Sequence, residues 1–150
     1  MALAQFQTNS FDIHQSLGYL LANVRGEWIT ALEKELKPLD LTAAQYIVLV
    51  NVGSGRAVTP VEICRKLQYD TGAMTRLIDR IEAKGLVKRA AHGGDRRCVT
   101  LELTPEGHEL YPKLLRIVKE MNKRALRGFT KDEVAGLERM LKRVALNVAG

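Results

Sequence analysis

At Gly85 the apolar pattern of this chain changes period. Upstream, in "MTRLIDRIEAKG", Met74, Leu77, Ile78 and Ile81 recur at i, i+3, i+4 and i+7, the stripe of an amphipathic helix. Downstream, in "CVTLEL", Val99, Leu101 and Leu103 share one face and Cys98, Thr100 and Glu102 the other, the alternation of a strand. A helix and a strand cannot exchange such patterns, so the boundary between them is fixed by sequence. His92-Gly93-Gly94-Asp95 supplies a turn, and a hairpin is expected that pairs about 86–91 with 97–103. Arg56-Ala57-Val58 has the composition for a very short third strand.

Capping chemistry marks where the helices start. Thr42-Ala-Ala-Gln45, Thr59-Pro-Val-Glu62 and Thr130-Lys-Asp-Glu133 are capping boxes, in which the hydroxyl and the fourth side chain each satisfy an orphan N–H. Pro60 suits the first helical position, where its missing N–H costs nothing. Thr104-Pro105-Glu106 repeats the Thr-Pro start. Two short helices, about 60–67 and 71–84, are separated by Gln68-Tyr69-Asp70 and closed by Gly85 at the position that favours a left-handed residue.

Helix, turn, helix and hairpin in that order make a winged helix-turn-helix. The fold class expected is mainly α with a small β-hairpin wing. The side of the second helix away from its apolar stripe begins with small residues, Gly72, Ala73 and Thr75, and continues with Arg76, Asp79 and Arg80. Small residues allow close approach, and arginines grip phosphate or read guanine edges. In such motifs the N-terminal part of the second helix faces base edges in the major groove. Asp95, Arg96 and Arg97 at the hairpin tip suit a neighbouring minor groove, with the carboxylate holding a guanidinium in place. The candidate DNA contacts are Thr59, Thr71, Gly72, Ala73, Thr75, Arg76, Arg80, Arg89, His92, Asp95, Arg96 and Arg97.

Charge agrees with that expectation. The 150 residues carry 23 Lys+Arg against 17 Asp+Glu, a net +6. Residues 1–55 hold −2, 56–97 hold +5 and 98–150 hold +3, so the excess is densest in the winged segment. A basic domain of this kind points to double-stranded DNA as partner.

The flanking segments read as long helices. One spans about 11–36, with Ile13, Leu17, Leu20, Leu21, Val24, Trp28 and Leu32 at spacings of 3 and 4. At ~1.5 Å per residue it would be about 38 Å long, more than a compact domain of this size needs. Leu114, Ile117, Val118 and Met121 form a later stripe, and Val134, Leu137, Leu141, Val144 and Val148 another. Pro112 is expected to kink the first of these two helices near its start. The surplus of apolar length suggests a homodimer.

Other function classes lack their signatures. No run of 18 apolar residues predicts a membrane span, and 1–10 lacks the order of a signal peptide. Cys64 and Cys98 show no CxxC, which fits free thiols and a cytoplasmic setting. His14, His92 and His108 have no metal-ligand spacing, and no cofactor is expected. GxGxxG, P-loop, HExxH and GxSxG motifs are absent, so the chain is not expected to be an enzyme.

Two stretches, "TRLIDRIEAKGLVKR" (75–89) and "GDRRCVTLELTPEG" (94–107), resemble the MarR family of bacterial transcription regulators. The second carries the family's wing pattern of Asp-Arg-Arg, alternating apolar residues, then Leu-Thr-x-x-Gly. The likeness extends over the long first helix, "LTAAQYIVLVNV" (41–52) and the closing helices. It implies a homodimer in which 10–37 and 104–150 intertwine while 42–103 forms the DNA-binding domain on a pseudo-palindromic site. It further implies Asp95 as an orienting carboxylate, Arg97 as a minor-groove arginine and Arg96 on the backbone. Repression, released by a small-molecule effector, is typical of the family. Its ligands bind between the dimer helices and the winged domain. His14, Tyr19, Trp28 and Tyr46 are candidate lining residues, and Arg25 or His14 the cation for an aromatic or phenolic acid. The alternatives are a winged-helix module that binds protein, and a regulator that responds to thiol oxidation through Cys64 or Cys98.

Overall fold

A computed structural model of the chain describes residues 12–92 and 95–150, with the backbone alone at 92 and 95–98. The first element among the described residues is a single 3-10 turn, Ile13–Gln15, not the start of a continuous helix. Ser16 breaks the run with extended backbone, and its hydroxyl caps helix α1 (Leu17–Leu36) by accepting from Tyr19 N at 3.3 Å. The expected start near residue 11 is therefore displaced by a local serine cap that the apolar spacing does not reveal.

A second 3-10 turn, Lys37–Leu39, ends on Asp40 in the left-handed region and leads to α2 (Ala43–Gly53). Next come α3 (Pro60–Leu67) and α4 (Thr71–Ala83). Strands β1 (Val87–His92) and β2 (Asp95–Leu103) pair antiparallel, and the chain closes with α5 (Pro105–Ala125) and α6 (Lys131–Ala149). All three expected capping boxes are formed, at Thr42–Gln45, Thr59–Glu62 and Thr130–Glu133.

The hairpin runs in the register Val87↔Leu103, Arg89↔Leu101 and Ala91↔Val99, with an irregularity between Ala91 and His92. Both strands are longer at the tip than expected; the turn residues Gly93 and Gly94 lie outside the described residues. No strand forms at Arg56-Ala57-Val58. A single bond, Leu101 N to Val58 O at 2.6 Å, ties that segment to β2. One bond is too few for a ladder because Thr59 turns at once into its helix cap.

Two compact units emerge, Met1–Leu114 and Leu115–Gly150, so the division falls inside α5. Within the first unit the core is built by Leu32 and Leu36 of α1, Val48 and Leu49 of α2, Ile63 of α3, Met74, Ile78 and Ile81 of α4, and Val87 and Leu101 of the hairpin. The second unit behaves differently, since α6 buries no residue. No helix among the described residues is long and apolar enough to cross a membrane.

The root of the hairpin is locked to the start of α5. Thr104 donates its N–H to Leu86 O at 3.1 Å and its hydroxyl to Gly85 O at 2.5 Å. The same hydroxyl accepts from Gly107 N at 3.1 Å. Gly107 lies so near the Leu86 carbonyl that a Cβ would collide with it. The Leu-Thr-x-x-Gly pattern thus has a physical reason: a threonine that joins three backbone segments and a glycine that lets them touch.

Candidate nucleic-acid interface

The candidate surface is built on α3 and α4. Thr59 and Pro60 set the first helix: the Thr59 hydroxyl accepts from Glu62 N at 3.2 Å, and the Glu62 carboxylate accepts from Val58 N and Thr59 N at 3.0 Å each. These N–H donors favour the ionised carboxylate and hold Glu62 below its ordinary pKa of 4.5. Gln68 closes α3 in the left-handed region, φ 52°, which re-aims the chain within three residues.

Asp70 then caps α4, accepting from Gly72 N at 2.8 Å and Ala73 N at 3.0 Å. Sequence reasoning placed Asp70 in the turn and missed this role, although an Asp before a helix is the usual signal. Four apolar side chains, Met74, Leu77, Ile78 and Ile81, are buried as the periodicity requires. The opposite side is open: Thr71, Gly72, Thr75, Arg76 and Arg80 are exposed and Ala73 half-buried. Arg76 and Arg80 make no ion pair with any described residue. The Thr75 hydroxyl proton is already donated to Thr71 O at 2.9 Å, leaving its oxygen as an acceptor.

Arg89 is placed differently. Its guanidinium donates to Asp79 Oδ1 at 2.6 Å and to Glu82 Oε2, and its backbone N–H donates to Glu82 Oε1 at 3.2 Å. The bond to Asp79, first, and the charge of Glu82 raise its pKa above the ordinary arginine value. The expectation that Arg89 reaches for DNA meets a side chain committed to two carboxylates of α4. Its neighbour Lys88 faces the other side of the hairpin and pairs with Glu102, its cross-strand partner, at 3.3 Å. His92, Asp95, Arg96 and Arg97 have backbone in the two strands, His92 opposite Asp95. Their side chains, and that of Cys98, lie outside the described residues.

A second tether holds the far end of α4. Lys84 donates to the Asp40 carboxylate at 2.9 Å and to the Asp40 carbonyl. Shallow clefts of about 420 and 340 Å³ flank this bridge, the first also lined by Leu86 and Glu109, the second by Glu33 and Gln45.

The five expected ligand residues lie on the first 3-10 turn described, on α1 and on α2. His14 and Tyr19 form an edge-to-face pair with centroids 4.9 Å apart. Arg25 is exposed and Trp28 half-buried further along α1. Tyr46 is buried in α2, where burial first and Tyr111 second push its phenol above 10.0. Neither cleft beside Lys84 is lined by any of the five. Cys64 is a free, half-buried thiol in α3. Among the described residues no cluster of His, Cys, Asp or Glu is placed to hold a metal ion.

The comparisons with known proteins agree with this geometry. A MarR family model matches residues 39–97, from the end of the second 3-10 turn to the wing tip. The chain is 37% identical over 129 residues to the multiple antibiotic resistance protein MarR of Escherichia coli K12, covering 85% of this chain and 90% of that protein. It superimposes with a TM-score of 0.77 and 36% identity on the crystal structure of a mutant E. coli MarR complexed with operator DNA, over 89% of this chain and 98% of that one. A MarR family transcriptional regulator from Listeria monocytogenes, complexed with 26mer DNA, gives a TM-score of 0.83 at 26% identity, over 90% of each chain.

Proposed function

The chain belongs to the MarR family of DNA-binding transcription regulators, and from that premise we propose that it works as a homodimeric repressor that a small aromatic or phenolic acid releases from its operator. The observation that carries the DNA part is the open side of α4, where two exposed arginines without ion-pair partners follow a stretch of small residues. Backbone N–H groups at the α4 N-terminus add a second attraction for phosphate. In this reading Thr59, Thr71, Gly72, Ala73, Thr75, Arg76 and Arg80 face the major groove, and His92, Asp95, Arg96 and Arg97 the neighbouring minor groove and backbone. The chromosome it reads is cytoplasmic.

Dimerisation rests on unspent apolar surface. Ile13, Leu17, Leu20 and Val24 of the first helical segment are 50–64% exposed, and Met140, Leu146 and Val148 of α6 58–82%. Exposure of that extent on two helices marks an interaction surface. A second copy related by two-fold symmetry would cover it and set two α4 helices about one helical turn of DNA, roughly 34 Å, apart. The terminal segments 10–37 and 104–150 are then the dimerisation helices and 42–103 the reading head. In this reading the effector site lies where the dimer helices meet the winged domain, lined by His14, Tyr19, Arg25, Trp28 and Tyr46.

Binding to the duplex immediately upstream of the protein's own coding region, against a scrambled duplex and across a salt series, tests the reading. A preference for the upstream duplex with a steep salt slope is expected. Equal, weak, salt-sensitive binding to both would favour the protein-binding winged helix. Release of the upstream duplex by members of a panel of aromatic carboxylates is expected, and no release by any of them would remove the effector assignment.

A further inference from the structure

Arg89, a basic residue of the winged segment, is tied to two carboxylates of another element. Both carboxylates belong to α4, at i and i+3, on the flank that faces β1. Asp79 also stands three residues after Arg76, the spacing at which side chains on a helix meet. Left alone, the Asp79 carboxylate would be a partner for the Arg76 guanidinium and a negative charge on the side of α4 that meets phosphate. Arg89 occupies it at 2.6 Å instead.

We propose that Arg89 is a positioning residue: by bridging Asp79 and Glu82 it fixes the wing against α4 and keeps Arg76 available for DNA, without touching DNA itself. This rests on the reading of α4 as a DNA-facing helix. The geometry demands arginine, because only a planar fork can hold two carboxylates in fixed directions at once; a lysine ammonium is a point donor on a flexible stem. The backbone N–H of Arg89 bonds the same Glu82, so strand and side chain are anchored together.

The experiment is a double-mutant cycle with Arg89→Ala and Asp79→Asn on operator binding, with the salt slope measured for each protein. Arg89→Ala is expected to weaken binding about tenfold with an unchanged salt slope. Asp79→Asn alone should change affinity less than threefold, and Arg89→Ala should cost less in the Asp79→Asn background than in the unsubstituted protein, because the carboxylate that Arg89 restrains is gone. A direct phosphate contact predicts the opposite: equal losses in both backgrounds and a slope reduced by about one. Either of those results overturns the proposal. Amide exchange of the DNA-free protein gives an independent readout. Arg89→Ala should speed exchange across 87–103 while the core of α4 stays protected, and unchanged exchange in the wing overturns the clamp. If the unsubstituted protein shows no preference among duplexes, the regulator reading fails, and the clamp is judged on exchange alone.

Discussion

The segment from α2 to β2 and the two terminal helices α1 and α6 spend their apolar residues in opposite ways. In the first, every helix starts on a formed cap and turns its stripe inward; Ile63, Ile78 and Ile81 are fully buried. In the second, α1 buries only Leu32 and Leu36, at its C-terminal end, and α6 buries nothing. The same 3.6-residue periodicity therefore has two meanings. One stripe closes a core within the chain; the other waits for a surface that the chain alone does not provide.

The sharpest way to break this comparison is to damage each region and watch concentration. Ile78→Ala should cost about 2–5 kcal/mol by cavity formation, and denaturant unfolding should show the loss at every protein concentration. Leu20→Glu retains helix propensity and, on an exposed position of a monomer, should change stability by no more than about 0.5 kcal/mol. If a second copy covers α1, the buried charge instead costs on the order of 2 kcal/mol, and sedimentation should show monomers where the unsubstituted protein is dimeric. A dimer that survives Leu20→Glu would place the interface elsewhere.

Smaller effects sharpen the contrast within the reading head. Arg76→Ala should cost roughly 1–3 kcal/mol on the operator and relax base preference, whereas equal loss on random DNA would make Arg76 a phosphate contact. Thr59→Ala should lower stability by about 1 kcal/mol, since it removes half of a capping box. The Glu62 half has a pH signature. Its folded pKa is depressed, so its contribution is complete above 4.5 and fades as pH falls through the lower folded value. NMR titration should find Glu62 and Glu133 ionised where unrestrained glutamates are half protonated. Tyr46 has the opposite sign: its pKa is raised, and its contribution is lost as pH climbs above 10.0.

Much of this was legible in residue order because it is local. Capping boxes, the Gly85 stop and the period change each lie within a few residues, and all three were found where the sequence put them. What the residue order does not show involves partners distant in sequence or hidden in a side chain's geometry. Arg89 reads as one more cation beside a basic wing; only the fold shows Asp79 and Glu82 beneath it. Asp70 reads as part of the turn, and the bonds its carboxylate accepts from Gly72 and Ala73 appear only in the fold. Lys84 and Asp40 are separated by 44 residues, and neither belongs to a recognisable motif. The aromatic residues of the first helix invite a pocket by composition, but composition does not say which faces meet.

The Thr104 junction has a consequence for how such a chain can change over generations. A helix advances about 100° per residue. Thr104 and Gly107 pin the first turn of α5 to Gly85 and Leu86, so the azimuth at which that helix leaves the hairpin is set at that one place. Insertions at the hairpin tip would lengthen the wing and leave that azimuth untouched. A single residue inserted between Thr104 and Gly107 would turn Gly107 by more than a quarter turn and carry it off the Leu86 carbonyl. Length variation is thus cheap at one end of β2 and forbidden at the other.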